Sequence, residues 1–172
     1  AKSIVAWVSD EPMVYDRLTP MEYLEFVAGL WQVDPVVAEQ RANELIDWLH
    51  LRPHAHQRCG GFSKGMLQKV ALAGALVHDP RLIILDEPME GLDPLGRSLV
   101  KGLIRDLRAQ GKTILFSTHI LEDVETLCDR IAIIADGKLR ETAAVDAILG
   151  EQMHSIEIQL LFGSERDASA FL

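Results

Sequence analysis

Two hydrophobic periodicities alternate along this chain, separated by polar, proline and glycine punctuation. Leu82-Ile83-Ile84-Leu85 is an uninterrupted apolar run, too short for a typical helix and bounded by Asp79-Pro80 and Pro88. It predicts a buried parallel strand. Lys112–Ser117 predicts a second buried strand, and Ser3–Val8 a short β-rich run. Arg130–Ala135 predicts a strand that returns through an Asp136-Gly137 hairpin turn into Lys138–Glu141. Ser155–Leu161 alternates apolar and polar residues and reads as one more strand.

Helical spacing fills the intervals between these runs. Thr19-Pro20-Met21-Glu22 combines an N-cap, a proline at the first position and a glutamate three residues on. The helix it opens is expected to turn Met21, Leu24, Phe26, Val27 and Leu30 inward. Asp34-Pro35 starts a second helix, Val36–Leu49, with Val37, Leu45, Ile46 and Leu49 apolar, and Leu51–Arg58 follows as a connector. Ser63 caps a third helix that carries the apolar spacing of Leu67–Val77. The fourth, Leu95–Gln110, sets Leu99, Leu103, Ile104 and Leu107 on one face and closes at Gly111. Shorter helices are expected from Leu121, over Val145–Leu149 with Gly150 as cap, and from Asp167 to Leu172. Trp31 and Trp48 read as core or interface aromatics. Strands alternating with helices in this order define the α/β class.

Composition narrows the partners. At 172 residues, 48% hydrophobic and 25% charged, the chain is one globular domain's worth. A formal net charge of −9 argues against a nucleic-acid partner, which demands basic patches. Cys59 and Cys128 stand alone without metal-ligand spacing, as free thiols of a reducing compartment do. His50, His54 and His56 lie in or beside the connector with no carboxylate or cysteine at ligand spacing, and read as surface histidines. No apolar run reaches membrane-span length and no signal peptide opens the chain, so another polypeptide or a missing segment is expected to supply any membrane passage.

The candidate chemistry begins with Asp86 and Glu87, two carboxylates at the end of the Leu82–Leu85 strand. Ligands of open α/β sheets gather beyond the carboxyl ends of strands. There one carboxylate suits Mg²⁺ and its neighbour an attacking water. Taken alone, the pair fits a polar turn equally well. Upstream, Ser63 and Gly65 form a helix start at which backbone amides can approach an anion. Downstream, Gly91-Leu92-Asp93-Pro94 is a tight turn.

Phe62-Ser63-Lys64-Gly65-Met66, then Leu82–Glu87, then Gly91–Pro94 resemble in order and spacing the signature motif, Walker B motif and D-loop of an ATP-binding cassette (ABC) nucleotide-binding domain. Strand, Thr118-His119 and an acid-rich Leu121–Glu125 resemble the H-loop. The resemblance implies a P-loop NTPase-like ABC ATPase core with an inserted all-helical subdomain. The expected boundaries are 1–18 for a core strand and Q-loop region and 19–77 for the helical subdomain ending in the signature helix. Residues 78–150 then form the C-terminal part of the core, and 151–172 an extension. ATP and Mg²⁺ are the implied ligands. Two such domains would close head to tail, with Ser63, Lys64, Gly65 and Met66 acting on the partner's nucleotide and Asp93 carrying contacts across the dimer. Asp86 would help hold Mg²⁺, Glu87 would be the general base, and His119 would contact the γ-phosphate. Asp10 stands at the Q-loop position, where the family carries glutamine, and would reach the metal through water.

Departures from the family pattern matter as much. No Gly-x-x-x-x-Gly-Lys-Ser/Thr occurs in the chain, so the resemblance runs from Ile4 to about Glu141. It implies the C-terminal part of a nucleotide-binding domain, inactive alone. A sheet lacking the P-loop strand is expected to expose an apolar edge that a second chain or a swapped copy covers. Lys64 and Met66 replace glycine and glutamine of the common signature, a form similar to that of ABC-2-type exporter subunits. That implies an ATPase subunit on the inner membrane face, bound peripherally to a separate permease. The alternatives are a soluble ABC ATPase of DNA repair, chromosome structure or translation, and a non-catalytic interaction domain. The interval from Asp10 to Ser63 has no room for the coiled-coil or zinc insertions of the former, and the presence of Glu87 and His119 argues against the latter. Gly74 stands where many members carry arginine, at a helix-propensity cost of about 1 kcal/mol relative to alanine, and nothing in the sequence accounts for it.

Overall fold

The computed structural model describes residues 4–149 and 158–161. The elements are β1 (Val5–Val8), α1 (Pro20–Leu30), α2 (Pro35–Trp48), α3 (Lys64–Leu76), β2 (Leu82–Leu85), α4 (Pro94–Ala109) and β3 (Thr113–Thr118). They continue with α5 (Leu121–Leu127), β4 (Arg130–Ala135), β5 (Lys138–Ala144), α6 (Val145–Leu149) and β6 (Ile158–Leu161). The expected helix over Asp167–Leu172 and the Gly150 cap lie outside the described residues.

The apolar run Leu82–Leu85 is a strand that buries Ile83 and Leu85 on one face and leaves Leu82 and Ile84 partly buried on the other. Its neighbours β1 and β3 pair with it in parallel, Val8 opposite Leu85 and Leu85 opposite Phe116. Ile83, Leu85, Ile114 and Phe116 are buried on the side where α4 brings Val100, Leu103, Ile104 and Leu107. Each such side chain contributes about 2 kcal/mol by leaving water. The hairpin β4–β5 turns at Asp136 and Gly137, both with positive φ, as a two-residue turn of the twist-matched type requires.

The six strands run in the order β1-β2-β3-β6-β4-β5. Strand β6 is antiparallel to both β3 and β4, so β4 runs in the same direction as β1, β2 and β3. The position beside β3 is taken by this chain's own β6, and the outer strands are β1 and β5.

Helices α1, α2 and α3 pack together at the β1 side of the sheet. The caps form as local sequence dictates. Thr19 and Glu22 make a reciprocal capping box, and the Asp34, Ser63 and Asp93 side chains each accept a first-turn amide. Leu24, Ala28, Ala38, Ala42 and Ile46 form the seam, where small residues let the helix backbones approach. Phe26 and Leu30 were expected inside but are exposed. Ala28 takes the buried place, and Phe26 instead packs edge-on against Tyr15 at 5.5 Å between ring centroids. Trp31 stacks on His78 at 4.2 Å, and Trp48 is partly buried against the core. Gly74 now has a reason, since the ring of Tyr23 lies directly over it.

Candidate functional site

The carboxyl ends of β2 and β3 create the site. Their register continues one step past Leu85–Phe116 and sets Asp86 beside Ser117. The Asp86 amide donates to the Val8 carbonyl at 2.8 Å, which ties the ends of β1 and β2 together. Ser117 Oγ donates to Asp86 Oδ1 at 2.6 Å and accepts the Glu87 amide at 2.7 Å. Glu87 has φ of 41°, in the left-handed region that non-glycine residues rarely adopt. From there its Oε1 lies 3.0 Å from Nδ1 of His119, which stands just past the end of β3. Glu87 is half-buried whereas His119 is exposed. The hydrogen bond that His119 gives to the Glu87 carboxylate, reinforced by that carboxylate's charge, raises the His119 pKa above the ordinary 6.5.

A buried ion pair anchors the helix that follows His119. Asp123 on α5 is fully buried and meets Arg97 at 3.3 Å. Lys101 approaches it at 2.6 Å in ion-pair contact outside ideal hydrogen-bond geometry. Both cations belong to α4, whose N-cap is Asp93. The segments bearing Asp93 and His119 are therefore fastened through one carboxylate.

The start of α3 builds a second feature. Ser63 Oγ accepts the Met66 amide at 3.3 Å, while the amides of Lys64 and Gly65 find no acceptor among the described residues. A helix N-terminus with open amides favours an anion. Gly65 sits against the turn after β2, because a Cβ on it would fall 3.1 Å from Leu92 Cδ2. The Lys64 stem lies over Gly91, and its ammonium is 4.0 Å from Glu90. Met66 is half-buried behind this surface. Asp93 spends Oδ1 on capping, accepting the Gly96 amide at 2.9 Å.

The structure thus brings Asp86, Glu87 and His119 together, and joins Ser63, Lys64, Gly65 and Met66 to the turn that ends in Asp93. Asp10 is different. Its carboxylate is exposed and accepts the amide of its own neighbour Glu11 at 2.8 Å. Ser117 is the site residue the sequence reading passed over. Its signal was the alignment of two predicted strands, which puts Asp86 and Ser117 at matching ends.

The donor set suits Mg²⁺, since Asp86, Glu87 and Ser117 offer only hard oxygen atoms. No cluster of three or more histidine, cysteine, aspartate or glutamate residues occurs among the described residues. Mg²⁺ does not need one, because it keeps several waters and takes one or two carboxylates beside substrate phosphates. The chain can therefore accommodate this ion with the residues it has.

A mixed sheet with a parallel β1-β2-β3 half, a helical layer beside its first strand and paired carboxylates at the strand ends fit an α/β core of P-loop NTPase type. The comparisons with known proteins agree. The ABC transporter family model matches residues 1–90. A solved ATP-binding subunit of an ABC transporter superposes with a TM-score of 0.80 at 32% identity, over 90% of this chain and 65% of that one. An uncharacterized ABC transporter ATP-binding protein of Nostoc sp. is 47% identical over 88% of this chain and 46% of its own length. The ABC transporter ATP-binding protein NatA of Bacillus subtilis is 37% identical over 90% and 63%. The Nod factor export ATP-binding protein I of Rhizobium leguminosarum is 39% identical over 74% and 41%. This chain belongs to the ABC transporter ATP-binding family. It spans about half the length of the first two curated relatives it matches.

Proposed function

We propose that this chain is the signature-, Walker B- and H-loop-bearing part of an ATPase subunit that powers export through a separate permease. The observation that carries the reading is the Glu87–His119 pair at 3.0 Å, beside an Asp86 whose Oδ1 is fixed by Ser117. Glu87 is the general base, accepting a proton from the attacking water at its carboxylate. His119 holds Glu87 in orientation through Nδ1 and presents its other ring nitrogen to the terminal phosphate. Asp86 holds Mg²⁺, which when bound neutralises charge on the phosphate oxygens. Asp10 reaches that ion only through water, if its local bond to Glu11 is exchanged.

Ser63, Lys64, Gly65 and Met66 belong to the nucleotide of a second domain in a head-to-tail dimer, and Asp93 contributes its second oxygen across that interface. The open amides of Lys64 and Gly65 support this assignment. No phosphate-cradling loop sequence occurs in residues 1–172, so hydrolysis requires one supplied from outside them, and the chain alone is inactive. No helix among the described residues is long and apolar enough to cross a membrane. The permease contact is assigned to a cleft of roughly 650 Å³ lined in part by Trp7, Met13, Val27 and Trp31. Trp7, Met13, Tyr15 and Leu30 expose apolar surface around it, as interaction sites do. Bound to such a permease, the subunit would lie on the inner membrane face. Export follows the named relatives, which include Nod factor and fluoroquinolones exporters and a linearmycin resistance protein. The acidic balance leaves nucleic acid out.

The test is MgATP turnover by residues 1–172 beside the same polypeptide extended upstream in its gene. The extended protein should hydrolyse ATP, the short chain should not, and Glu87→Gln should abolish turnover while leaving binding intact. Tight MgATP binding by the short chain alone would overturn the reading.

A further inference from the structure

We infer that Ser117 is a positioning residue that sets both carboxylates of the site with one hydroxyl group. The inference rests on the ATPase reading above. A serine hydroxyl has one hydrogen and two lone pairs. The Glu87 amide can only donate and the Asp86 carboxylate accepts, so the direction of both bonds is settled. Ser117 receives from Glu87 at 2.7 Å and gives its own hydrogen to Asp86 at 2.6 Å.

Each bond has a separate consequence. Donation to Oδ1 fixes the Asp86 side chain, and Oδ2 has no hydrogen-bond partner among the described residues. That second oxygen is the one left for a cation or its water. Acceptance from Glu87 steadies a backbone at φ of 41°, a region L-residues enter at a cost of about 1–2 kcal/mol. A hydrogen bond worth about 1 kcal/mol offsets much of that. From this backbone Glu87 reaches His119 at 3.0 Å. The adjacent hydroxyl cannot substitute, because Thr118 is buried and accepts the Ile120 amide at 3.2 Å. A serine that merely satisfied a strand-end amide would have no need to face Asp86 as well.

The experiment uses the extended protein with Ser117→Ala, Ser117→Val and Ser117→Thr, and Glu87→Gln as a reference. Turnover should fall about 10–100-fold in the Ala and Val variants. The ATP KM should stay within about twofold, since the loss lies in orientation and not in ground-state binding. Mn²⁺ affinity in the nucleotide complex, read by electron paramagnetic resonance, should weaken by about tenfold in the same two variants. Ser117→Thr should restore both readouts, because it keeps the hydroxyl in the shape of the slowed Val variant. Thermal midpoints measured in parallel separate misfolding from mispositioning. Unchanged turnover and Mn²⁺ affinity in Ser117→Val, with Glu87→Gln inactive, would overturn the inference and leave the ATPase reading standing. Losses that follow the thermal midpoint in all three variants, Thr included, would overturn it as well. Active Glu87→Gln would instead remove the ATPase reading itself.

Discussion

The ring of Tyr23 occupies the space that a side chain at Gly74 would take: a Cβ there would lie 2.6 Å from Cε1 and 3.2 Å from the hydroxyl. Gly74 is inside α3 and Tyr23 on α1, so the glycine is the point where two helices meet through an aromatic ring. Gly74→Ala gains about 1 kcal/mol of helix propensity and loses about 1–3 kcal/mol to overpacking. The expected net result is a lower urea midpoint. Tyr23→Leu should remove most of that penalty, and a double-mutant cycle measures the coupling.

The Glu87–His119 pair predicts a pH signature. Nuclear magnetic resonance should find the His119 imidazole titrating above 6.5, and Glu87→Gln should bring it back down. The folded value lies above the unfolded one, so the pair's contribution to stability is complete below 6.5. It disappears as pH rises through the folded value. Exposure of the imidazole keeps the effect small, and an unshifted His119 would remove the Glu87 contact from the solution structure.

The turn after β2 should be sensitive at its backbone and tolerant at its charges. Gly91 has φ of 68° and lies under the Lys64 stem. Gly91→Ala is expected to lower stability by about 1–2 kcal/mol through backbone strain, plus whatever shift Lys64 must make. Glu90→Gln removes a half-exposed ion pair and should cost less than about 1 kcal/mol. Urea unfolding of both variants checks the order.

Asp123 predicts the largest single loss. Asp123→Ala leaves Arg97 without its anion and Lys101 with only the exposed Glu122 at 3.7 Å, and buried pairs broken from one side lose about 3–5 kcal/mol. The lower end is expected, because Arg97 keeps a third of its side-chain surface in solvent. The same variant should broaden the His119 resonance, since α5 then keeps only the exposed Lys101–Glu122 pair to α4 beside its apolar contacts. A variant with parental stability would mean the pair contributes nothing.

Local features were legible in the sequence because their causes are local. Thr19, Asp34, Ser63 and Asp93 each announce a cap within three residues of the amide they serve. Leu82–Leu85 announces a strand through length and punctuation, and Asp86 and Glu87 follow it directly. What escaped depends on other elements. Phe26 and Leu30 share the spacing of buried residues, yet the partner helix offers a seam only to Leu24 and Ala28. The place of β6 between β3 and β4 is a long-range pairing that its own alternation cannot specify. Ser117 needed the register between two strands thirty-one residues apart at that point, and Gly74 needed the ring of Tyr23.

The left-handed backbone at Glu87 sets function against robustness. Glycine adopts that conformation without strain, so a library selected only for thermal endurance is expected to enrich Glu87→Gly, as it would glycine at Gln32, His50, Asp79 and Asp136, and with it to lose the proposed general base. Directed evolution for heat tolerance will therefore have to be screened for activity at each round, so that relief of strain does not remove the candidate site.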